Sequence, residues 1–178
     1  MRRSLIATAA VLCACSWGEP EPLDADQRQV VERNLLSGLP TPHYRVNADL
    51  DGEVTYLGLD ASPDPAIPGE PLTLVHYMQV QDIIFDWEMF VHVQPRKGAG
   101  LVNADHVPIH GLFPSSRWRK GQILRDEHVL QVPPGARGEL QVLVGLYHGT
   151  GRIPVASGPA DDQGRVVAAH IVLEEPSP

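Results

Sequence analysis

The sequence predicts an all-β protein: an immunoglobulin-like antiparallel β-sandwich of about seven to nine strands, preceded by one short N-terminal helix. Three observations predict it. Sixteen Gly and 17 Pro are spread along 178 residues, a composition of tight turns between short elements rather than of long helices. From about residue 42 onward the apolar residues come in short alternating runs, as half-buried strands require. No ten-residue helical pattern interrupts these runs, which argues against βαβ architecture. The chain is long enough for one domain with its own hydrophobic core.

The first fifteen residues, MRRSLIATAAVLCAC, read as an export signal. Arg2 and Arg3 supply the positive start, and the run from Leu5 to Leu12 is too short to span a bilayer as a stable helix. Leu12-Cys13-Ala14-Cys15 resembles the bacterial lipobox, in which the cysteine is acylated and becomes the new N-terminus. The chain has two cysteines, and Cys13 would leave with the leader. An exported chain with no disulfide and a single terminal thiol makes sense if that thiol carries lipid. Residues 1–15 are therefore expected to be a lipoprotein signal peptide, with Cys15 as the lipidated residue and the membrane as a partner. Ser16 after the cysteine resembles lipoproteins sent to the outer membrane of a Gram-negative envelope, facing the periplasm or the surface.

Residues 16–41 are expected to form a tether and a short helix. The tether is polar and rich in Pro and acid. In the helix Asp24 caps with Gln27, while Val30, Val31, Leu35 and Leu36 supply an apolar stripe. Gly38 followed by Pro40 stops it. The sandwich then occupies residues 42–178, with strands expected at 54–59, 72–80, 87–94, 128–132, 140–147 and 165–173, and weaker ones near Leu101 and Ile153. Between them lie the turn sequences PDPAIPGEP, PRKGAG, VPPGARG and GPADDQG. The tetrapeptide Val-Asn-Ala-Asp occurs at 46–49 and again at 102–105, but the flanks do not match. Both copies read as turns at strand ends.

The formal net charge is −8, and loss of Arg2 and Arg3 with the leader makes the chain more acidic still. Phosphate backbones would repel it, so nucleic acid is not an expected partner. Eight histidines invite a metal reading, with His92, His106, His110 and His128 as candidate ligands beside Asp105. His106 and His110 would share one face of a helix, but Pro108 and Gly111 argue against a helix there. No HExxH run is present. His76 lies between Leu74 and Met78 in the alternating pattern, as a satisfied, half-buried histidine would.

No catalytic constellation is legible. Ser115 and Ser116 lie near His110 without a GxSxG elbow, and adjacent Asp126 and Glu127 would point to opposite faces of a strand. The glycines at 145, 149 and 151 lack the helix a dinucleotide fingerprint needs. Neither an enzymatic activity nor a cofactor is expected.

The second half of the chain carries a family pattern: Phe90-Val91-His92, Asp105 with Pro108, Pro114-Ser115-Ser116-x-Trp118-x-x-Gly121, Asp126, Pro134-Gly135, Val144-Gly145-Leu146-Tyr147 and Arg152-x-Pro154. It resembles the non-catalytic β-sandwich domain at the C-terminus of bacterial membrane glycosyltransferases of the dolichyl-phosphate-mannose mannosyltransferase type, here as a stand-alone lipoprotein. The resemblance implies a sandwich without chemistry of its own. Met78 departs from the aromatic residue the resemblance would place there.

Two readings of Trp118 follow. On a Pro-Ser-Ser turn it can plug one end of the sandwich. Alternatively Trp118, Arg117, Asp105 and His106 form a stacking platform with hydrogen-bonding flanks for a sugar or other polar ligand. The expectation is thus a lipid-anchored envelope β-sandwich with a non-enzymatic binding or structural role, toward a glycan or an envelope protein. The alternative is an envelope protein that binds metal through a histidine cluster.

Overall fold

A computed structural model of the protein describes residues 21–82, 84, 87–97 and 100–175. The leader and Cys15 lie outside the described residues. Among these, one α-helix precedes eleven strands. Helix α1 (Ala25–Arg33) starts as expected: the Asp24 side chain accepts from the Gln27 backbone N–H at 2.8 Å, and the Gln27 side chain accepts from the Asp24 N–H at 3.0 Å.

The helix ends before its apolar stripe does. Asn34 is the C-cap, and strand β1 (Leu35–Leu36) turns away to pair with the edge of β7 (Ile123–Gln131). Leu35 sits opposite Leu124 and Leu36 opposite Ile123. The expected helical stripe is therefore corrected at these two residues, whose pairing covers an exposed sheet edge. Val31 is buried, and Leu23 and Val30 pack against the core, so the described part of the 16–41 segment lies against the sandwich.

Two antiparallel sheets make the all-β sandwich. The first runs β1, β7, β4 (Pro71–Val80), β3 (Val54–Ser62), β2 (Tyr44–Leu50) and β10 (Val155–Ser157). The second runs β11 (Val166–Val172), β8 (Arg137–His148), β5 (Glu88–Lys97) and β6 (Val102–Asn103), with β9 (Gly151–Arg152) folded back on β8. Seven strands have seven residues or more, and the other four are edge pieces of two or three. All six expected strands are present. Strand β2 was not expected, because its Val-Asn-Ala-Asp reads as a turn. Asn47 does adopt a left-handed φ of 56°, but within a bulge that shifts the β2–β3 register between Arg45 and Ala48. Opposite that bulge Gly58, at φ 142°, lets the Tyr44 carbonyl approach to where a Cβ would lie 2.1 Å away.

The core lies between the sheets and follows period two. Leu72, Leu74, His76, Met78 and Val80 of β4 point inward, and Leu140, Val142, Val144 and Leu146 of β8 face them. β7 begins five residues earlier than its apolar pattern suggests, at Ile123 rather than residue 128. Its inward row is Leu124, Asp126, His128 and Leu130, so two polar residues hide the alternation.

The chain between β6 and β7 closes the gap between the sheets. His106 bonds back to β5, its N–H donating to the Met89 carbonyl at 3.0 Å. A 3-10 turn (Ser115–Arg117) follows, and the Ser115 hydroxyl accepts from the Trp87 N–H at 2.8 Å. Trp118 is 0% exposed, and its indole donates to the Phe113 carbonyl at 2.9 Å. It is the plug. The stacking-platform reading is corrected on this point, since a fully covered indole offers no face to a sugar. Trp118→Ala is expected to destabilise the domain by about 3–5 kcal/mol, measured by urea unfolding, because it leaves a large cavity and an orphaned carbonyl.

Candidate metal centre

The polar residues inside the sandwich gather at one place. His76 comes from β4, Asp126 and His128 from β7, Tyr56 from β3 and His106 from the crossover. His76 and Asp126 are direct partners across the β4–β7 ladder, so their side chains leave the sheet on the same face. Each is 0% exposed.

Asp126 is the anchor. Its Oδ2 lies 2.6 Å from His106 Nε2, and its Oδ1 accepts from the Ile109 N–H at 2.7 Å. Ile109 and His110 both adopt φ 56°, a left-handed conformation that a β-branched residue rarely takes. The turn is held there because it aims the Ile109 N–H at the carboxylate and buries the Ile109 side chain. His106 is fixed from its other side, its Nδ1 lying 2.7 Å from the Ala104 carbonyl. That bond places a proton on Nδ1 and turns Nε2 toward Asp126.

The other two imidazoles are less satisfied. His76 Nδ1 meets the Tyr56 hydroxyl at 2.7 Å, and its ring stacks on that of His128 at 5.1 Å with an interplanar angle of 5°. The His128 ring lies 4.6 Å from that of His106. Among the described residues, the buried side-chain polar atoms without a protein hydrogen-bond partner are His76 Nε2, His128 Nδ1 and His128 Nε2. All belong to this cluster. One donor atom each from His106, Asp126 and His128 lie within 4.8 Å of one another, the single such group of three among the described residues.

Charge follows this geometry. Burial lowers the His76 pKa to about 3, with His128 and His106 pushing the same way against the pull of Asp126. Burial also lowers His128, to about 4, helped by His106. Burial works against a charge on His106 too, but the hydrogen bond and charge of Asp126 outweigh it and raise its pKa. Asp126 shifts downward for the matching reason, since the His106 bond overcomes its burial. At neutral pH the site therefore holds a charged carboxylate paired with His106 beside the two neutral imidazoles of His76 and His128, and a metal ion would have to displace the proton between His106 and Asp126.

The residues singled out in the sequence divide. Of His92, His106, His110 and His128, only His106 and His128 converge. His92 lies on β5 with its Nε2 3.4 Å from the Asp105 carboxylate and its Nδ1 3.4 Å from an Arg165 nitrogen, and His110 is exposed on the turn. Asp105 accepts from the Val91 N–H at 3.0 Å and borders a shallow cleft with Phe90, Tyr147 and Arg152, so it diverges from its neighbour His106. Arg117 donates to the Glu21 carbonyl. The four residues of the sugar-binding reading thus share no cleft. His76, expected to be half-buried and satisfied, is instead wholly buried with one nitrogen unpartnered. Asp126 and Glu127 do part, inward and outward, as adjacent strand residues must. The signal for Asp126 and His76 was their place in otherwise apolar inward rows.

No family model matches the chain, and no curated protein matches it at a significant level of similarity.

The depressed imidazole pKa values make acid sensitivity a test of this geometry. Unfolded, His76 and His128 titrate near 6.5; folded, they stay neutral to far lower pH, so the unfolded state binds more protons below about 6.5 and stability falls with pH. His106 works in the opposite direction, because its raised folded pKa adds stability as pH falls through its titration, so the His76 contribution is read as the difference between wild type and the His76 variant. For metal-free protein, stability is expected to fall by roughly 2–3 kcal/mol per group for His76 between pH 7 and 4.5, by urea unfolding at each pH. His76→Leu should flatten the profile, and an equally steep one would contradict the assignment.

Proposed function

We propose that this protein is a non-enzymatic metal-binding β-sandwich of the cell envelope, holding one transition-metal ion through His106, Asp126 and His128. The observation that carries the reading is the concentration of unpartnered buried imidazole nitrogens beside a buried carboxylate. Each such nitrogen costs on the order of 1–3 kcal/mol when left without a partner, and an ion that takes the one free lone pair of the neutral His128 ring relieves part of that cost. A cluster serving only to fill the core would be better served by apolar side chains.

The donor set supports a borderline divalent ion such as Zn(II) or Cu(II). Imidazoles with a single carboxylate suit these ions, whereas Ca(II) and Mg(II) call for mostly oxygen ligands. Two ligands are held from behind: Ala104 fixes the His106 ring, and the Ile109 N–H fixes the Asp126 carboxylate. Binding would break the His106–Asp126 contact, so any proton shared there is displaced by the ion.

The leader and Cys15 support an envelope location and a lipid anchor, and the acidic, polar start after Cys15 supports a tether. The resemblance to glycosyltransferase sandwich domains supports a role without chemistry of its own.

Full-length protein, purified in detergent without an affinity tag and dialysed against Zn(II) or Cu(II), is expected to retain about one ion per chain in elemental analysis. His128→Ala, at the ligand with no hydrogen bond tying it to the scaffold, should lose it while the protein stays folded. Wild-type protein that retains no ion would refute the metal reading. The anchor is tested separately: wild-type protein should incorporate a fatty-acid analogue in cells, and Cys15→Ser should not.

A further inference from the structure

We propose that His76 is a fourth ligand, so that the ion sits in a closed set of three imidazoles and one carboxylate and does not activate water. The inference rests on the metal reading above and adds the coordination number. Position is the first argument. His76 stands directly across the β4–β7 ladder from Asp126 and stacks on His128, so it borders two of the three ligands already assigned.

The second argument is how the side chains are held. His106 ties Nδ1 to the Ala104 carbonyl and Asp126 ties Oδ1 to the Ile109 N–H, and the atoms each would offer the ion, Nε2 and Oδ2, meet one another at 2.6 Å. His76 repeats the pattern, with Nδ1 on the Tyr56 hydroxyl and Nε2 unpartnered in a wholly buried ring. One atom tied to the scaffold and one free is how a ligating histidine is held, because the tie fixes both tautomer and ring orientation. A merely structural imidazole in the same place would satisfy both nitrogens.

The third argument concerns movement. An imidazole lone pair lies in the plane of its ring, so two stacked rings 5.1 Å apart and 5° from parallel cannot both aim at one ion. One must turn. His128 is the untethered ring, both of its nitrogens lacking partners, so His128 turns and His76 stays. Four protein ligands around a tetrahedral ion leave no position for a reactive water, which makes this a holding site rather than a hydrolytic one.

The test is pulsed electron paramagnetic resonance of the full-length protein in detergent, loaded with Cu(II) alone, which counts the coordinated imidazoles. Three are expected in wild type and two in His76→Phe, whose affinity for the ion should fall by roughly 10–100-fold. Tyr56→Phe removes the tether and keeps the ligand, so it should retain three imidazoles with weakened affinity; it is the informative variant if His76→Phe does not fold. Two imidazoles in wild type would overturn the role of His76 while leaving the three-ligand reading intact. Failure of wild type to bind copper or zinc would overturn both. An unchanged affinity in Tyr56→Phe would likewise count against His76 as a ligand.

Discussion

The bond between His106 and Asp126 joins the two halves of this sandwich. Asp126 belongs to the first sheet, and His106 is fastened to β5 of the second through its own N–H. The crossover that carries His106 must therefore lie in the gap between the sheets, where Ile109 donates to the same carboxylate. Once it lies there, Phe113 and Trp118 are drawn into the core behind it. A wholly buried carboxylate is expensive unless paired and bonded, and here a histidine and a backbone amide supply both needs. Loss of that carboxylate would release the crossover, not just one contact.

The same bond explains why polar residues occupy a core that could have been apolar. A buried ion pair seldom stabilises a fold more than well-packed hydrophobic residues of the same volume. Two further imidazoles, kept neutral by burial and lacking complete hydrogen bonding, add nothing to stability on their own. Their retention next to the pair is understandable if the cluster serves a ligand. A strained left-handed turn at Ile109 and His110 points the same way, since such strain gathers where geometry is held for use.

Much of the fold was legible in the chain, because period-two alternation and Pro/Gly turns report directly on which residues face the core. β4 could be read almost to the residue, and β8 was read for its inward row though it starts three residues earlier. β2 escaped because a bulge puts turn-forming Asn47 inside a strand; the front of β7 lacks a legible apolar alternation because its inward row carries Asp126 and His128, and only the Gly121 turn marks a strand from Ile123. The site was half legible. His106 and His128 were recognisable as ligand types, but sequence distance says nothing of which strands become neighbours, and the β4–β7 pairing that brings His76 onto Asp126 is a long-range contact. Trp118 was ambiguous for a different reason, since a turn-borne indole can face in or out and only packing decides. Asp105 and His106 were read as a pair, yet neighbours in extended chain point to opposite sides.

In the metal-bound state we propose, one ion replaces the proton between His106 and Asp126 and draws in the imidazoles beside them. Anomalous diffraction from crystals of the zinc-loaded protein, recorded on both sides of the zinc absorption edge, tests it most directly. The expected result is a single strong peak inside the sandwich, about 2.0–2.2 Å from His106 Nε2, Asp126 Oδ2 and a nitrogen of a rotated His128. A peak confined to surface histidines, with the His106–Asp126 bond still closed at 2.6 Å, would contradict it.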